Sequence, residues 1–287
     1  MRWGDRPTAE RVQNRRKAPR YFRNITEYVL VFAVLFIIFS LVGMGAAFGD
    51  TPPVLPTAQA FPTTGGILFP GLDVAAGVNS AALPLLGKAT AFQVAVSPPL
   101  QTGDPLGGFA GLATSNKKFG LGAGYLGSKN PGSSITHGIF VGGGYDLDPV
   151  ALGVQIRDLN IQSGVNPGVD LGMILGSGHG TEFGVVLYDV NTSARMDLGV
   201  GFADKRYNVE ANLLLPRFSN FNSDYVLTAA ATVNASIFAM YFRVSYFTQP
   251  NFWEETFGGL AWISPKWNVL VQLTTSRTLT AGLTFLL

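Results

Sequence analysis

The stretch 195–215, RMDLGVGFADKRYNVEANLLL, sets the architecture. Met196, Leu198, Val200 and Phe202 alternate with Arg195, Asp197, Gly199 and Gly201. After Asp204-Lys205, the apolar residues Tyr207, Val209, Ala211, Leu213 and Leu215 alternate with Asn208, Glu210 and Asn212. Successive side chains of a strand point to opposite faces, so a period of two gives each segment one greasy face and one polar or glycine-rich face. Two such runs around a short polar connection predict an antiparallel hairpin.

The same pattern recurs on both sides. Val150, Leu152, Val154 and Ile156 alternate with Ala151, Gly153, Gln155 and Arg157, and Leu279, Ala281, Leu283, Phe285 and Leu287 oppose Thr280, Gly282 and Thr284. Fourteen segments are predicted, at 89–97, 106–114, 118–126, 135–145, 149–159, 168–176, 181–190, 195–203, 206–215, 224–234, 236–247, 253–264, 266–275 and 278–287. Spread over 89–287, each strand with its connection has about 14 residues, which suits about ten to cross a bilayer on a tilt and about four to turn.

A soluble sandwich would alternate in the same way with its apolar face inward. Three features favour an all-β fold that crosses a membrane as an antiparallel barrel, with fourteen strands and twelve as the alternative count. The segment number and length fit. Aromatic residues gather near segment ends (Tyr188, Phe202, Tyr207, Tyr225, Tyr246, Phe247, Phe252, Trp253, Trp262 and Trp267), as the headgroup level of a bilayer favours. The charges Arg157, Asp170, Glu182, Arg195, Asp197, Glu210 and Arg243 all fall in the phase opposite the apolar one, predicted to face a wet lumen. Strands in lipid must close on themselves, since lipid offers no partner to an open edge.

Composition agrees. Only 13% of the 287 residues are charged, about half the share of an ordinary soluble domain (~25%). The 35 glycines follow no collagen period, and the absence of cysteine excludes disulfides, thiol catalysis and cysteine metal sites. The net charge of +2 comes from eight Lys and Arg in 1–28; the remainder carries twelve basic against fifteen acidic residues. Nucleic acid is therefore not an expected partner.

The basic stretch precedes an uncharged apolar run, 28–48 (YVLVFAVLFIIFSLVGMGAAF). This reads as an export signal within 1–49, with small-residue cleavage sites after 49 or after 60; retention as a signal anchor is the alternative. Export of a barrel points to the cell outer membrane of a double-membraned bacterium. The predicted organisation is thus 1–49 leader, 50–88 periplasmic arm or hatch, and 89–287 barrel.

Residues 61–88, FPTTGGILFPGLDVAAGVNSAALPLLGK, lack strand alternation and exceed an ordinary connection. They are predicted to fold into the lumen as a plug, with Phe69, Asn79, Ala81, Ala82 and Leu83 as its marked residues; a plain periplasmic arm is the alternative. Inward glycines (Gly120, Gly122, Gly124, Gly153, Gly199 and Gly201) either make room for such a plug or let a small barrel curve.

The stretch Gly77-Val78-Asn79-Ser80-Ala81-Ala82-Leu83, directly before the first strand, resembles the N-terminal region of the FadL-type family of outer-membrane proteins. That family has an Asn-Pro-Ala-Ala-Leu-like stretch there; Asn79, Ala81, Ala82 and Leu83 match, and Ser80 stands in place of the proline. The resemblance implies a 14-stranded barrel with an N-terminal hatch, passing small hydrophobic compounds, fatty-acid-like or aromatic. A narrow polar porin or a structural barrel without substrate is the alternative. The apolar positions 279–287 resemble the C-terminal signal of outer-membrane barrels, without its terminal aromatic. Outer-membrane lipids, the barrel assembly machinery and a small hydrophobic ligand are the expected partners.

His137 and His179 are the only histidines and have no metal-ligand spacing. Ser134 and Ser177 lie near them, but a nucleophile needs a positioned base and an orienting group. No catalytic residue, metal or cofactor is predicted, and the chain is not read as an enzyme.

Overall fold

The computed structural model describes residues 66–100, 106–129, 135–158, 161, 167–176, 180–191, 194–215, 225–235, 237–249, 251–276 and 278–287. The predicted leader, both cleavage sites and the arm up to residue 65 lie outside these, as do His179, Ser134 and Ser177.

Fourteen strands follow in order: β1 Lys88–Ser97, β2 Leu106–Asn116, β3 Phe119–Lys129, β4 Ile135–Asp146, β5 Val150–Asp158, β6 Gly168–Leu175 and β7 Gly180–Tyr188, then β8 Arg195–Ala203, β9 Tyr207–Leu215, β10 Val226–Asn234, β11 Phe238–Phe247, β12 Phe252–Ser264, β13 Trp267–Thr274 and β14 Leu279–Leu286. Each pairs antiparallel with its sequence neighbours, and β14 returns to β1 through Phe92↔Phe285 and Val94↔Leu283. The sheet is a closed barrel with no free edge, which is what hydrocarbon surroundings demand of strands.

Turn chemistry fixes where strands stop. Between β2 and β3 the Asn116 side chain accepts from the N–H groups of Lys118 and Phe119, while Lys117 takes φ 79°. This Asx-type turn reverses the chain in two residues. Connections of this kind (117–118, 147–149, 204–206, 265–266) lie at the rim that also holds both ends of the barrel, Lys88 and Leu286. The opposite rim carries longer ones, such as 98–105, 159–167 and 216–225. Short periplasmic turns and longer external loops are the asymmetry of outer-membrane barrels.

The alternation maps onto two surfaces. Leu121, Val141, Leu152, Val154, Ile156 and Val200 point outward and are exposed, while the positions between them are mostly buried. A belt of exposed apolar side chains around a closed cylinder is stable only in lipid. The protein is an outer-membrane β-barrel. Aromatic pairs stand at both rims, Phe202 with Tyr207 and Trp267 with Phe285 at the periplasmic one and Tyr246 with Trp253 at the external one. Four residues expected in these girdles fall in the inward phase instead: Tyr188 and Phe247 are buried, Phe252 stacks on Phe247 at 4.3 Å, and Trp262 pairs with the buried Asn268 between the exposed Ala261 and Ile263. The cause is parity: the phase that puts Glu182 inside also puts Tyr188 inside.

The hydrophobic core lies within the cylinder, and Gly66–Gly87 supplies much of it. This segment contains one short helix, α1 (Leu72–Val78), and a 3-10 helix, Ser80–Leu86. Seven residues are too few for a helix to stand alone; α1 is held by packing on β1–β5, and the 3-10 helix packs on β2–β6. Ile67, Leu68, Val74, Ala76 and Leu83 join Ala113, Phe140, Ile174 and Val186 of the wall in one apolar cluster. Gly87, at φ 93°, then turns the chain into β1.

Candidate functional site in the barrel lumen

The glycine face of the wall makes room for the segment. A Cβ at Gly120 would strike Leu83, one at Gly122 would meet Ala76, and one at Gly153 would enter the Ser80–Ala81 backbone. Gly199 faces Ile67, and Gly201 faces Leu68 and Phe69. Gly124 differs, since its neighbour is the Phe140 ring of the wall. Five of the six glycines singled out from the sequence thus touch the lumen segment. The Gly142-Gly143-Gly144 run is smooth strand surface in β4, with Ser80 and Pro84 against its inward positions.

Two polar anchor points tie the segment to the wall. At the first, Glu210 of β9 accepts the Leu68 N–H on Oε1 (3.0 Å) and those of Gly66 and Phe69 on Oε2 (3.2 Å each). The Asn212 side chain adds a further donor. A buried carboxylate is costly unless its lone pairs are filled, and here the segment's own backbone fills them. At the second, Gln155 of β5 donates to the Gly77 carbonyl at 3.3 Å and to Asp170 at 2.6 Å. Within the segment, Asn79 donates to the Ile67 carbonyl (2.9 Å) and accepts from the Ala81 N–H (3.1 Å), so it joins the leading bend at 66–69 to the 3-10 helix. Ala81, Ala82 and Leu83 are fully buried beside it, and Phe69 is partly buried over Gly201.

The charges predicted to face inward do so, but on this side of the barrel they are not in water. Arg157 and Asp170 are 2% and 1% exposed and pair at 2.8 Å. Arg157 also reaches Asp189 at 3.3 Å, and Arg195 bonds the same Asp189 oxygen. Tyr188 lies under both guanidiniums, at 4.9 Å from Arg157 and 5.6 Å from Arg195. These groups sit at the external ends of β5–β8 and brace that mouth. In place of the expected wet interior, the segment fills the space on this side, and Arg157, Asp170, Asp189 and Arg195 are held by pairing with one another. The gap lined by Asn79, Ser80, Gln155, Asp170 and Val186 is too small to admit a water molecule. Glu182 is buried in β7 near Gly176, and Asp197 is buried in β8 with its Oδ1 unpaired among the described residues.

The far wall is different. Beyond the segment's packing on β1–β9, the inward side of β10–β14 carries Thr228, Tyr241, Arg243, Ser245, Thr256 and Gln272. They bond along the wall: Tyr241 to Gln272 at 2.8 Å, Arg243 to Thr256 at 3.3 Å and Thr228 with Ser245 at 3.0 Å. At the closing seam Gln93 bonds Thr284 and Ser97 bonds Thr280. The lumen therefore has an apolar, small-residue half under the segment and a hydroxyl- and amide-rich half opposite.

Asp189 is not marked by the sequence, Tyr188 is expected in an aromatic girdle, and Gln155 stands out only as a position of the polar phase. Asp189 lies in a connection, where no period speaks. Tyr188 and Gln155 share the inward phase of Glu182 and Arg157, a signal that was present. His137 is outward on β4, where it bonds Tyr125 near the external rim.

No family model and no curated protein matches the chain. Among solved structures it is similar to engineered variants of the porin of Rhodopseudomonas blastica. One is 8% identical with a TM-score of 0.43, the match covering 70% of this chain and 98% of that one. A second variant, with three substitutions, shows the same identity and coverage with a TM-score of 0.42.

Proposed function

We propose that the protein is a passive outer-membrane channel for small solutes, closed by the Gly66–Gly87 segment as a hatch. The observation that carries this reading is the two-sided lumen. The Thr, Ser, Tyr, Gln and Arg side chains of that wall satisfy one another by hydrogen bonds while the barrel is closed, and can trade those bonds for a passing solute or water. Small hydrophilic solutes fit that wall, each hydroxyl or amide offering an exchangeable hydrogen bond. The glycine track opposite serves to park the hatch.

A second reading has its own observation. Withdrawal of the segment uncovers Phe109, Phe140, Ile174 and Val186, an apolar strip suited to hydrophobic compounds of the kind that the FadL-type resemblance implies.

The test replaces residues 66–87 by a flexible Gly/Ser linker and reconstitutes the full barrel in planar bilayers and in liposomes. Raised conductance, with liposome swelling by small sugars, supports the polar channel. Uptake of an apolar dye without swelling supports the second reading. A variant that folds and conducts no better than the parent removes the segment as the barrier and, with it, the proposal.

A further inference from the structure

The hatch is held to the wall by a charged contact as well as by its apolar face. We infer that Glu210 is the latch of the hatch: its carboxylate, held by the Gly66, Leu68 and Phe69 N–H groups, sets the closed state of the channel. This rests on the hatch reading above and adds its regulation. Three donors, within four consecutive residues of the segment, converge on one side chain of β9 some 140 positions away. Charge-assisted bonds are roughly twice as strong as neutral ones, so this point outweighs the neutral Gln155–Gly77 bond. The grip is also exchangeable. Every donor that the segment supplies is backbone, so nothing covalent or bulky changes when it leaves, and the freed carboxylate, still bonded to Asn212, can be solvated in an opened lumen.

Loss of the latch should open the channel. In Glu210→Gln the neutral amide keeps the length of the side chain, but its NH2 group faces N–H donors, and open-state occupancy in single-channel recordings rises on the order of tenfold or more. A pair of variants in the segment leaves the wall intact: Leu68→Pro deletes one donor N–H, Leu68→Ala keeps it, and the proline variant opens more than the alanine one.

Covalent locking separates this inference from the channel reading. Leu68 Cγ lies 3.5 Å from where a Cβ at Gly184 would stand, so Leu68→Cys with Gly184→Cys is placed to form a disulfide in a chain that has no other cysteine. Under oxidation the lock suppresses conductance even with Glu210→Gln, and reduction restores it. If the Gly/Ser-linker channel conducts but Glu210→Gln and Leu68→Pro behave like the parent and Leu68→Ala, the latch is wrong and the channel stands. If the linker channel does not conduct either, both fall.

Discussion

Single buried polar side chains carry more of this structure than their number suggests. Asn79 satisfies the Ile67 carbonyl and the Ala81 N–H at once. Asn79→Ala leaves both unmet in a place without water, at a cost of about 1–3 kcal/mol per group. The outcome is a loosened lumen segment in an intact barrel: faster amide exchange at Ala81 and its neighbours, and unchanged exchange in β12–β14. Arg157 tests the other class. Its removal in Arg157→Ala strands the Asp170 carboxylate, which is buried and shares its remaining bonds with Gln155 and the Asp189 N–H. Breaking a buried pair in this way costs about 3–5 kcal/mol. The urea midpoint of the barrel in lipid should fall accordingly, and Arg195→Ala, whose side chain is less buried, should lower it less. The inward direction of Arg157, Asp170 and Glu210 was legible from period two alone. Their partners were not, because Glu210 and its donors meet only when the chain folds back into its own lumen.

Strands and the lumen segment differ in how far sequence reveals them. All fourteen strands are legible, with ends displaced by up to three residues; β3 runs to Lys129 rather than 126, since Gly127 and Ser128 read as turn residues yet pair with His137 and Thr136. The segment's helices are not legible. LDVAAGV is too short to show a helical period and has no side-chain cap at Gly71, so its conformation is imposed by the wall it packs against. That dependence runs both ways and can be tested on the wall. In Gly153→Val the new side chain would occupy the Ser80–Ala81 backbone, whose Ala81 Cα lies 2.9 Å from the added Cβ. Backbone cannot yield as a side-chain tip does, so the 3-10 helix leaves its seat while β5 keeps its register with β4 and β6. Limited proteolysis should then cut the segment, and conductance should rise; a variant that is uncut and closed would mean that Gly153 serves curvature only.

Across the molecule, a core inside the cylinder and a greasy surface outside invert the arrangement of a soluble domain, and stability depends on the medium at each depth. Val141 lies at the middle of β4 and is 57% exposed, with Ile139 beside it on the same outward face. Leu147, in the turn after β4, is equally exposed at 58% but sits at the periplasmic rim. In water the two positions would tolerate a charge equally. In a bilayer, arginine at mid-depth costs about 2–4 kcal/mol and near the interface about 0–1. Val141→Arg should therefore shift the urea titration of folding into lipid vesicles by that larger amount, while Leu147→Arg leaves it almost unmoved. Thinner bilayers should narrow the gap, because they bring residue 141 closer to headgroups on both sides. Equal tolerance at the two positions would mean that the outer face meets water, and the two-sided lumen would then lose the membrane that gives a passage through it any purpose.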